Sequence, residues 1–336
     1  MVSLRVYIVR RVLLAIPTIL ILLTIVFLVM RVAGDPVAAI LGAHAPQEEI
    51  ERIREELGLN KPLYVQYFDY IWQLFHLNLG RSLIWGQRPV LVEILEHFPA
   101  TLELSIFAFI VSIIIGIFTG AYSAQKYNKP VDHMFRIYGI ITYSLFIPWF
   151  GLILQLIFGV YLGWLPTGGR IDPLMEPKHI TGLYVLDSIL TFNIPSLISS
   201  IKHLILPSIT LGIYLSGIFT RLTRSNMLEV LRKDFITAAR ARGLPEGTVI
   251  YKHALKNAFI PILTMMGLQF ALLLAGAVLT ETTFSWPGMG TFLTERIFYR
   301  DYTTVQGTIV FFAILVVSVS LIVDLLYAYI DPRIRY

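Results

Sequence analysis

The most regular feature of the sequence is a series of long apolar stretches that carry almost no charge. The hydrocarbon core of a bilayer is about 30 Å thick, and a helix needs about 20 apolar residues to cross it. Stretches of about this length recur along the chain, so the pattern predicts an all-α membrane protein with six transmembrane helices. The predicted spans are residues 12–30, 104–125, 137–161, 203–220, 257–280 and 302–323.

Two further apolar segments are interrupted by polar residues at helix-like intervals. A helix of this kind buries one apolar face and presents a polar face to water. Both segments are therefore predicted to be amphipathic helices that lie on membrane lipid or on the protein itself. They are residues 64–79, which include Asp69 and His76, and residues 183–203, which include Asp187 and Lys202.

The distribution of charge predicts how the chain is organised. Residues 1–30 form the N-terminus and first span, predicted to be a retained signal anchor because no Ala-x-Ala site follows; a cleaved signal peptide is the alternative. Residues 31–99 form an external segment, with glutamates after Pro46 spaced as on one solvated helix. Residues 100–336 form the core with five spans, including a long extracytoplasmic connection (161–203) and a long cytoplasmic loop (227–256).

Composition excludes several classes of protein. The 336 residues are 56% hydrophobic and only 15% charged, and a mean hydropathy of +0.71 leaves apolar surface that lipid or a partner must cover. The chain has no Cys, which excludes disulfide scaffolds, Cys-ligated metals and thiol catalysis. A soluble enzyme is therefore excluded.

The net charge of +5 is a signal of topology. With six spans both termini lie on one side, and the positive-inside rule assigns the sides of a membrane by the Lys and Arg content of the loops. Residues 126–136 and 221–256 and both termini are rich in Lys and Arg, whereas the other connections are acidic on balance. The termini are thus predicted to be cytoplasmic in the cell membrane, and binding to nucleic acid is not expected.

No candidate catalytic, metal or cofactor site emerges from the motifs. The chain has no Gly-x-x-x-x-Gly-Lys, His-Glu-x-x-His or Gly-x-Ser-x-Gly sequence, and its seven His are scattered. Asp324 directly follows the last predicted span, near the inner surface, and is expected to pair with Arg333 or Arg335. Neither an enzyme nor a bound cofactor is predicted.

The loop at residues 227–256 carries helical pattern twice. Phe235, Ala238, Ala239 and Arg242 follow i, i+3, i+4, i+7 and give a narrow face of small residues that lets another backbone approach closely. Gly243 ends this helix, and Pro245 begins another. The loop is predicted to be an elbow of two short helices that docks on a cytoplasmic partner; a basic helix lying on anionic lipid is the alternative.

This loop resembles the Glu-Ala-Ala coupling motif of ABC import permeases, in the variant of dipeptide and oligopeptide permeases. Thr237-Ala238-Ala239 stands in place of the triplet, Gly243 follows after three residues, and His253 begins the last part of the motif nine residues later. Thr237 replaces the Glu, and the terminal Pro is absent. The resemblance implies that the ATPase-coupling residues are Phe235, Thr237, Ala238, Ala239, Arg242, Gly243, Leu244 and Pro245.

Further segments extend the resemblance, specifically to the first of the two permeases in such systems, along nearly the whole chain. The resemblance implies the type I importer bundle, a second homologous permease chain, two cytoplasmic ABC ATPase subunits and an extracytoplasmic solute-binding protein. It also implies peptide transport, with oligosaccharides or nickel chelates as alternatives. The segments are Tyr7 to Arg11, Gly34-Asp35-Pro36, Leu57 to Leu63, Leu79-Gly80-Arg81-Ser82 and Phe284 to Gly290.

Uncharged polar and aromatic residues in the spans are candidates for the transport pathway. A carrier of varied peptides needs hydrogen-bonding groups without a strong fixed charge, and packing between helices is the alternative role of such residues. Pro17, Pro148, Pro207 and Pro261 are predicted to kink spans. A stand-alone secondary carrier is the other function class considered. The pathway candidates are Gln155, Tyr214 and Gln269, with Glu281 and Trp286 near the outer mouth.

Overall fold

The computed structural model describes residues 4–33, Val37, 46–56, 58–82, Ile84 and 86–330, and this part of the chain is helical apart from one isolated β-bridge. Gln155–Tyr161 and Thr248–Ala254 are π-helical segments, and Pro173–Met175 is a 3-10 turn. The α-helices are α1 (Leu4–Ala33), α2 (Gln47–Glu56), α3 (Leu63–Phe75), α4 (Val90–Gln125), α5 (Pro130–Ser144), α6 (Ile147–Leu154), α7 (Tyr184–Leu190), α8 (Ile194–Leu231), α9 (Asp234–Ala241), α10 (Leu255–Gly276), α11 (Val278–Thr283), α12 (Met289–Phe298) and α13 (Tyr302–Ile330).

The structure confirms an all-α protein with long apolar helices. Five helical segments of the described chain are long and apolar enough to cross a membrane, and a bent pair brings the number to six. The segments are Ile8–Arg31, Val90–Gln125, Ile194–Leu231, Thr248–Leu274 and Tyr302–Leu325, and the bent pair is Pro130–Ser144 with Ile147–Tyr161.

The third predicted span is not one straight helix. α5 and the helix that follows it are bent by 101° at a short break. Leu145 and Phe146 are extended at this break, and Pro148 lies in the first turn of α6, where its missing N–H and fixed φ suit a helix start. Pro148 therefore begins a new helix. Pro17, Pro207 and Pro261, by contrast, lie inside continuous helices.

The predicted boundaries around the fourth span were wrong. Residues 183–203 do not form one amphipathic helix, because α7 ends at Leu190 and Phe192 takes a left-handed φ of 53°. Asn193 then caps α8 by accepting a hydrogen bond from the Ser196 N–H at 3.2 Å. α8 continues through the predicted fourth span to Leu231, over 38 residues.

α8 lies at the centre of the bundle and is the most buried of the five continuous spans, with 67% of its most apolar stretch buried. It packs on α4 through small residues: a Cβ added at Gly116 or Gly120 of α4 would meet atoms of Phe219 or Thr220. Small residues at this i, i+4 spacing let two helical backbones approach closely. α5, α6, α7 and α10 surround α8 on its other sides.

α1 lies at the edge of the bundle and packs on α13 and α3. Only 11% of its most apolar stretch is buried. α2 begins directly after Pro46, as predicted. The expected boundary at residue 99 falls within a helix, because α4 begins at Val90 and contains Pro99. Gly34, Asp35, Pro36, Leu57, Arg333 and Arg335 lie outside the described residues.

Ion pairs join distant parts of the bundle. Arg224 of α8 binds the Asp132 carboxylate of α5 with two hydrogen bonds of 2.6 and 2.8 Å, and Arg296 of α12 reaches Glu93 of α4 at 3.0 Å. Asp324 pairs with Arg11 of α1 at 3.2 Å. Asp324 thus has a partner on the first helix, whereas its expected partners Arg333 and Arg335 lie beyond the described chain.

Candidate functional site: a mounted elbow and a buried cluster

The elbow consists of α9 and the turn that follows it, residues 234–246. α9 has one apolar edge, where Ile236 and Ala239, three residues apart, are 0% and 1% exposed. They pack into a cluster with Met227 and Val230 of α8 and Ala124 of α4. The bundle therefore holds α9 from one side only, and the other side faces outward.

Gly243 ends α9 in a Schellman motif. Its N–H donates to the Arg240 carbonyl at 2.9 Å, and the Leu244 N–H donates to the Ala239 carbonyl at 3.4 Å. These two bonds define the motif, which requires a left-handed residue at the position of Gly243. Gly243 has a φ of 74°, and a Cβ there would meet no atom within 4 Å. Glycine is thus needed for its backbone angle, not for space.

After this turn the chain becomes helical again, as the sequence predicted. The Val249 N–H donates to the Pro245 carbonyl at 3.1 Å. The second arm is not a short helix, however, because it continues through Thr248–Ala254 into α10. Arg240 bridges the two arms by a bond of 2.7 Å to Glu246, which lowers the pKa of that carboxyl.

The structure divides the predicted coupling residues into two groups. Ala239 is buried in this chain's own core, and Leu244 is partly buried against the same cluster. Ala239 therefore presents no surface to a partner, which corrects the predicted small-residue face. The group on the outer surface of the elbow consists of Phe235, Thr237, Ala238, Arg242, Gly243 and Pro245, together with Ala241.

A groove of about 710 Å³ lies beside the elbow, between the end of α8 and the start of α10. Phe235 forms one edge of this groove, and Asn226, Lys233 and Asn257 contribute polar groups to it. Phe235 is 40% exposed. The elbow and the groove together form a surface of small, polar and basic side chains, which also includes Phe235 and Glu229.

Glu281 lies in a buried cluster at the far end of α10 from the elbow. Its carboxylate accepts hydrogen bonds from the Thr101 hydroxyl at 2.6 Å and from the N–H groups of Gly290 and Thr291 at 2.6 and 3.2 Å. Glu281 is 0% exposed, and burial raises the pKa of its carboxyl. The side chain joins α11, α12 and α4.

Trp286 belongs to the same cluster. It is fully buried, and its indole N–H donates to the Ala100 carbonyl at 2.9 Å. Glu281 and Trp286 were predicted near an outer mouth of the pathway, but neither side chain reaches a surface that a solute can touch. The segment from Phe284 to Gly290 is thus accounted for by packing, since a Cβ at Gly288 or Gly290 would meet the Glu281 carboxylate.

The other pathway candidates are partly exposed. The Gln155 amide donates to the carbonyls of Thr167 and Thr283 at 2.6 and 3.0 Å, so it ties its π-helical segment to two other segments of the same chain. Tyr214 stacks on Tyr143 with ring centroids 6.2 Å apart. Gln269 makes no side-chain hydrogen bond within the described part of the chain, and its pathway role stays a prediction.

The connection at residues 161–203 is folded onto the bundle. Arg170 binds Glu103 of α4 at 2.7 Å and also donates to the Gly182 carbonyl at 2.6 Å. Asp187 is fully buried; desolvation opposes its charge, but hydrogen bonds from Ile180, Thr181 and Gly182 prevail and lower its pKa. Leu174 and Phe192 stand out from this folded base at 95% and 90% exposure.

The sequence reasoning missed the buried ion pairs. The charge pattern of the sequence did not predict the pairs Glu93–Arg296, Glu103–Arg170 and Asp132–Arg224. A signal was present, because charged residues at the ends of charge-free spans are costly unless they are paired. The partners could not be assigned, since each pair joins residues far apart in the sequence.

Comparison with known proteins gives two family matches that together cover nearly the whole chain. Residues 112–336 match "Binding-protein-dependent transport system inner membrane component". Residues 4–105 match "Binding-prot-dependent transport system membrane comp, N-term".

Individual relatives align over almost their full length. The dipeptide transport system permease protein of Alkalihalophilus pseudofirmus is 46% identical over 98% of this chain and 99% of its own. The di/tripeptide transport system permease protein of Pseudomonas aeruginosa is 44% identical, and the dipeptide transport system permease protein of Escherichia coli is 40% identical, each over 98% of both chains. The chain belongs to the family of inner membrane components of binding-protein-dependent transport systems.

Proposed function

We propose that the chain is a permease subunit of an ATP-driven importer of dipeptides or short oligopeptides. The observation that carries the proposal is the elbow: a short helix held firmly on one side and open on the other, in a chain of this transport family. The peptide substrate is supported by the names of the relatives, which are 40% to 46% identical. These names favour peptides over oligosaccharides and nickel chelates.

The elbow is proposed to contact the ATPase subunit in the cytoplasm. Its side of the membrane follows from the positive-inside rule, because Arg232, Lys233, Arg240 and Arg242 lie in or beside it. Four of the outward residues, Thr237, Ala238, Ala241 and Gly243, are small, so a partner surface can approach the backbone closely beside them. The ATP is bound and hydrolysed by the partner, and this chain contributes the docking helix.

Ala238→Glu tests the proposed contact. Ala238 is exposed, so the variant is expected to fold normally but to lose co-purification with the ATPase subunits and dipeptide uptake by at least about tenfold, which is the loss of about 1.4 kcal/mol of binding. Thr237→Ser is the matched control on the same exposed side of α9 and should behave as wild type. Normal association and uptake by Ala238→Glu would remove the elbow from the ATPase interface.

The transport pathway is proposed to form between this chain and a second homologous permease. Gln269, half-buried on α10, is the strongest remaining candidate to face the pathway. Gln269→Leu is expected to change which dipeptides stimulate ATP hydrolysis by the reconstituted complex without changing its assembly. A variant that disassembles, or one with an unchanged substrate profile, would assign Gln269 to helix packing instead.

The connection at residues 161–203 is proposed to face outward and to contact the solute-binding protein. Leu174 and Phe192 are large, apolar and at least 90% exposed, which is typical of residues that a partner covers. Leu174→Asp and Phe192→Asp should each reduce uptake that depends on the binding protein, while ATP hydrolysis without it stays normal. Unchanged uptake in both variants would exclude this contact.

A further inference from the structure

A polar cavity of about 320 Å³ lies between α1, α3 and α13, away from the elbow and from the Glu281 cluster. Its size falls at the lower end of the roughly 300 to 1,000 Å³ that ligand pockets span. Two segments that the function does not explain meet there: Gly58, Leu59 and Lys61 of the first, and Leu79 and Gly80 of the second. The cavity is therefore lined by the most distinctive sequences of the N-terminal third.

One wall of the cavity presents positive charge. Arg31 lies in the last turn of α1, and its guanidinium stands 5.2 Å from the centre of the Phe27 ring. Arg31 makes no ion pair or hydrogen bond with the residues that the structure describes. Lys61 is paired with Asp69 at 2.9 Å, so these two charges cancel. Among the described ionisable residues of the lining, Arg31 therefore carries the one positive charge without an acidic partner.

A second lining residue, Gln66, carries an acceptor that lacks a donor. Gln66 is 8% exposed, and its amide nitrogen donates to the carbonyls of Leu59 and Lys61 at 3.0 and 2.7 Å. These bonds fix the amide so that the oxygen Oε1 stays buried without a hydrogen-bond partner in the described chain. A buried acceptor of this kind is costly unless a ligand or water donates to it.

A third polar group is the Tyr70 hydroxyl. Its oxygen is buried beside the Gln306 side chain but forms no hydrogen bond of good geometry with the described residues. Burial raises the pKa of Tyr70 to about 12, so the group is an O–H donor at neutral pH. The cavity thus offers a fork of cationic N–H donors, a neutral donor and an acceptor.

The position of the cavity indicates lipid. Arg31 directly follows the apolar run of a span, at the depth where lipid headgroups lie. Ile25, Leu28 and Val29 on the same helix are 51%, 53% and 55% exposed, so acyl chains have an apolar surface beside the cavity. Arginine matches the geometry of a phosphate with two parallel hydrogen bonds.

We propose that this cavity binds the headgroup of a phospholipid whose phosphate pairs with Arg31 and whose glycerol or ethanolamine group donates a hydrogen bond to Gln66. Phosphatidylglycerol can supply both contacts, a phosphate for Arg31 and a hydroxyl donor for Gln66, and it is anionic, which suits the positive charge of Arg31. Phosphatidylcholine can supply only the phosphate contact with Arg31, because its quaternary ammonium has no hydrogen to donate to Gln66. The lipid would fasten α1, which is otherwise weakly packed, to α3 and α13. The site does not depend on which solute the protein transports.

Native mass spectrometry of the full-length chain with added palmitoyl-oleoyl phosphatidylglycerol or phosphatidylcholine tests the proposal. One phosphatidylglycerol per chain should be retained more tightly than phosphatidylcholine. Arg31→Gln should weaken that binding by about tenfold or more, and Gln66→Leu by a smaller factor. Arg31→Lys, which keeps the charge but loses the fork, should be intermediate. Arg88→Gln is the matched control, because Arg88 lies outside the cavity and pairs with Glu96.

Several outcomes would overturn the proposal. Equal affinity for both lipids, or an unchanged affinity in Arg31→Gln, would show that the lipid binds elsewhere. Displacement of the lipid by millimolar inorganic phosphate would identify a site for the free ion, and displacement by a dipeptide would identify a solute site. Thermal unfolding in detergent checks each variant, and Arg31→Gln at the exposed end of α1 tests the site even where Gln66→Leu does not fold.

Discussion

The elbow and the Glu281 cluster are both built around distinctive sequence segments, yet they use them in opposite ways. In the elbow the bundle holds one edge of α9, and Ala238, Ala241 and Arg242 remain on the surface. In the cluster Glu281 and Trp286 are both 0% exposed and bind groups of their own chain. In the elbow, the side chains remain free to contact a partner. In the cluster, the polar groups are already hydrogen-bonded within the chain itself.

This difference teaches that a polar residue in a membrane bundle is not by itself a sign of a pathway. Glu281 has the chemistry expected of a solute-binding group, but every acceptor position it uses is filled by Thr101 and by the start of α12. The number of internal hydrogen bonds, rather than the residue type, separates the two roles. The comparison predicts effects of different kinds in the two regions.

The largest effect is expected for Glu281→Leu. Removing the carboxylate leaves the Thr101 hydroxyl and the N–H groups of Gly290 and Thr291 buried without a partner, at about 1 to 3 kcal/mol for each group that stays unpaired. The free energy of unfolding in detergent should fall by about 3 kcal/mol or more. Glu295→Leu, at an exposed position of α12, is the control and should change it by less than about 0.5 kcal/mol. If Glu281→Leu has normal stability but altered transport, Glu281 belongs to the transport pathway instead.

Ala239→Glu should rank second and separates the two sides of α9. Ala239 is 1% exposed, so an acidic side chain there must either bury its charge or push α9 away from the helices on which it packs. We expect a loss of about 2 to 3 kcal/mol in the free energy of unfolding. Ala238→Glu, one residue earlier, should cost less than about 0.5 kcal/mol. Similar losses in the two variants would mean that α9 has no outward side.

Gly243→Ala is expected to cost about 1 kcal/mol, because a φ of 74° is unfavourable for alanine even where the space around it is empty. The effect should be local, so hydrogen exchange should increase at residues 240–246 and stay unchanged in α12. Gly243→Asn should cost less, since Asn adopts the left-handed region more easily. If Asn is as unfavourable as Ala, the Schellman turn is not the reason for the glycine.

The smallest effect is a pH dependence of stability. Burial raises the pKa of Glu281 above its ordinary value of 4.5, so its contribution is fully present below pH 4.5 and is lost as pH rises through the folded-state pKa. The pKa of Asp187 is lowered from 3.8, so its contribution is lost at acid pH instead. Urea or SDS unfolding between pH 4 and 8 should show the first slope, and Glu281→Gln should abolish it.

Much of the fold could be predicted because a long apolar run in a bilayer must satisfy its own backbone hydrogen bonds, which a helix does. Each predicted span falls on a mostly helical part of the chain, although the third is broken at Leu145 and Phe146 and the fourth is only part of a longer helix. The end of α9 at Gly243 follows from backbone chemistry that only the nearest residues determine. The break at Pro148 could not be predicted from the residue alone. Pro207 and Pro261 are also in apolar runs, and each lies within an unbroken helix.

The direction in which individual side chains point was the least predictable property of the candidate site. Ala238 and Ala239 are identical in type and adjacent on the helix, so hydrophobicity cannot tell which of them packs against Met227. The partners of Glu103 and Asp132 lie 67 and 92 residues away along the chain. Only the packing of the whole bundle determines such contacts.

The length of α8 has a mechanical consequence. At 1.5 Å per residue its 38 residues extend over about 57 Å, nearly twice the thickness of the hydrocarbon core. One end begins after Asn193, within the connection 161–203, and the other leads directly into the elbow. Because an unbroken helix is stiff along its axis, a tilt imposed at the elbow reappears at the far side as a sideways displacement in the opposite direction. The bundle can therefore act as a lever whose fulcrum is the tight contact between α8 and Gly116 of α4, without any joint that has to refold.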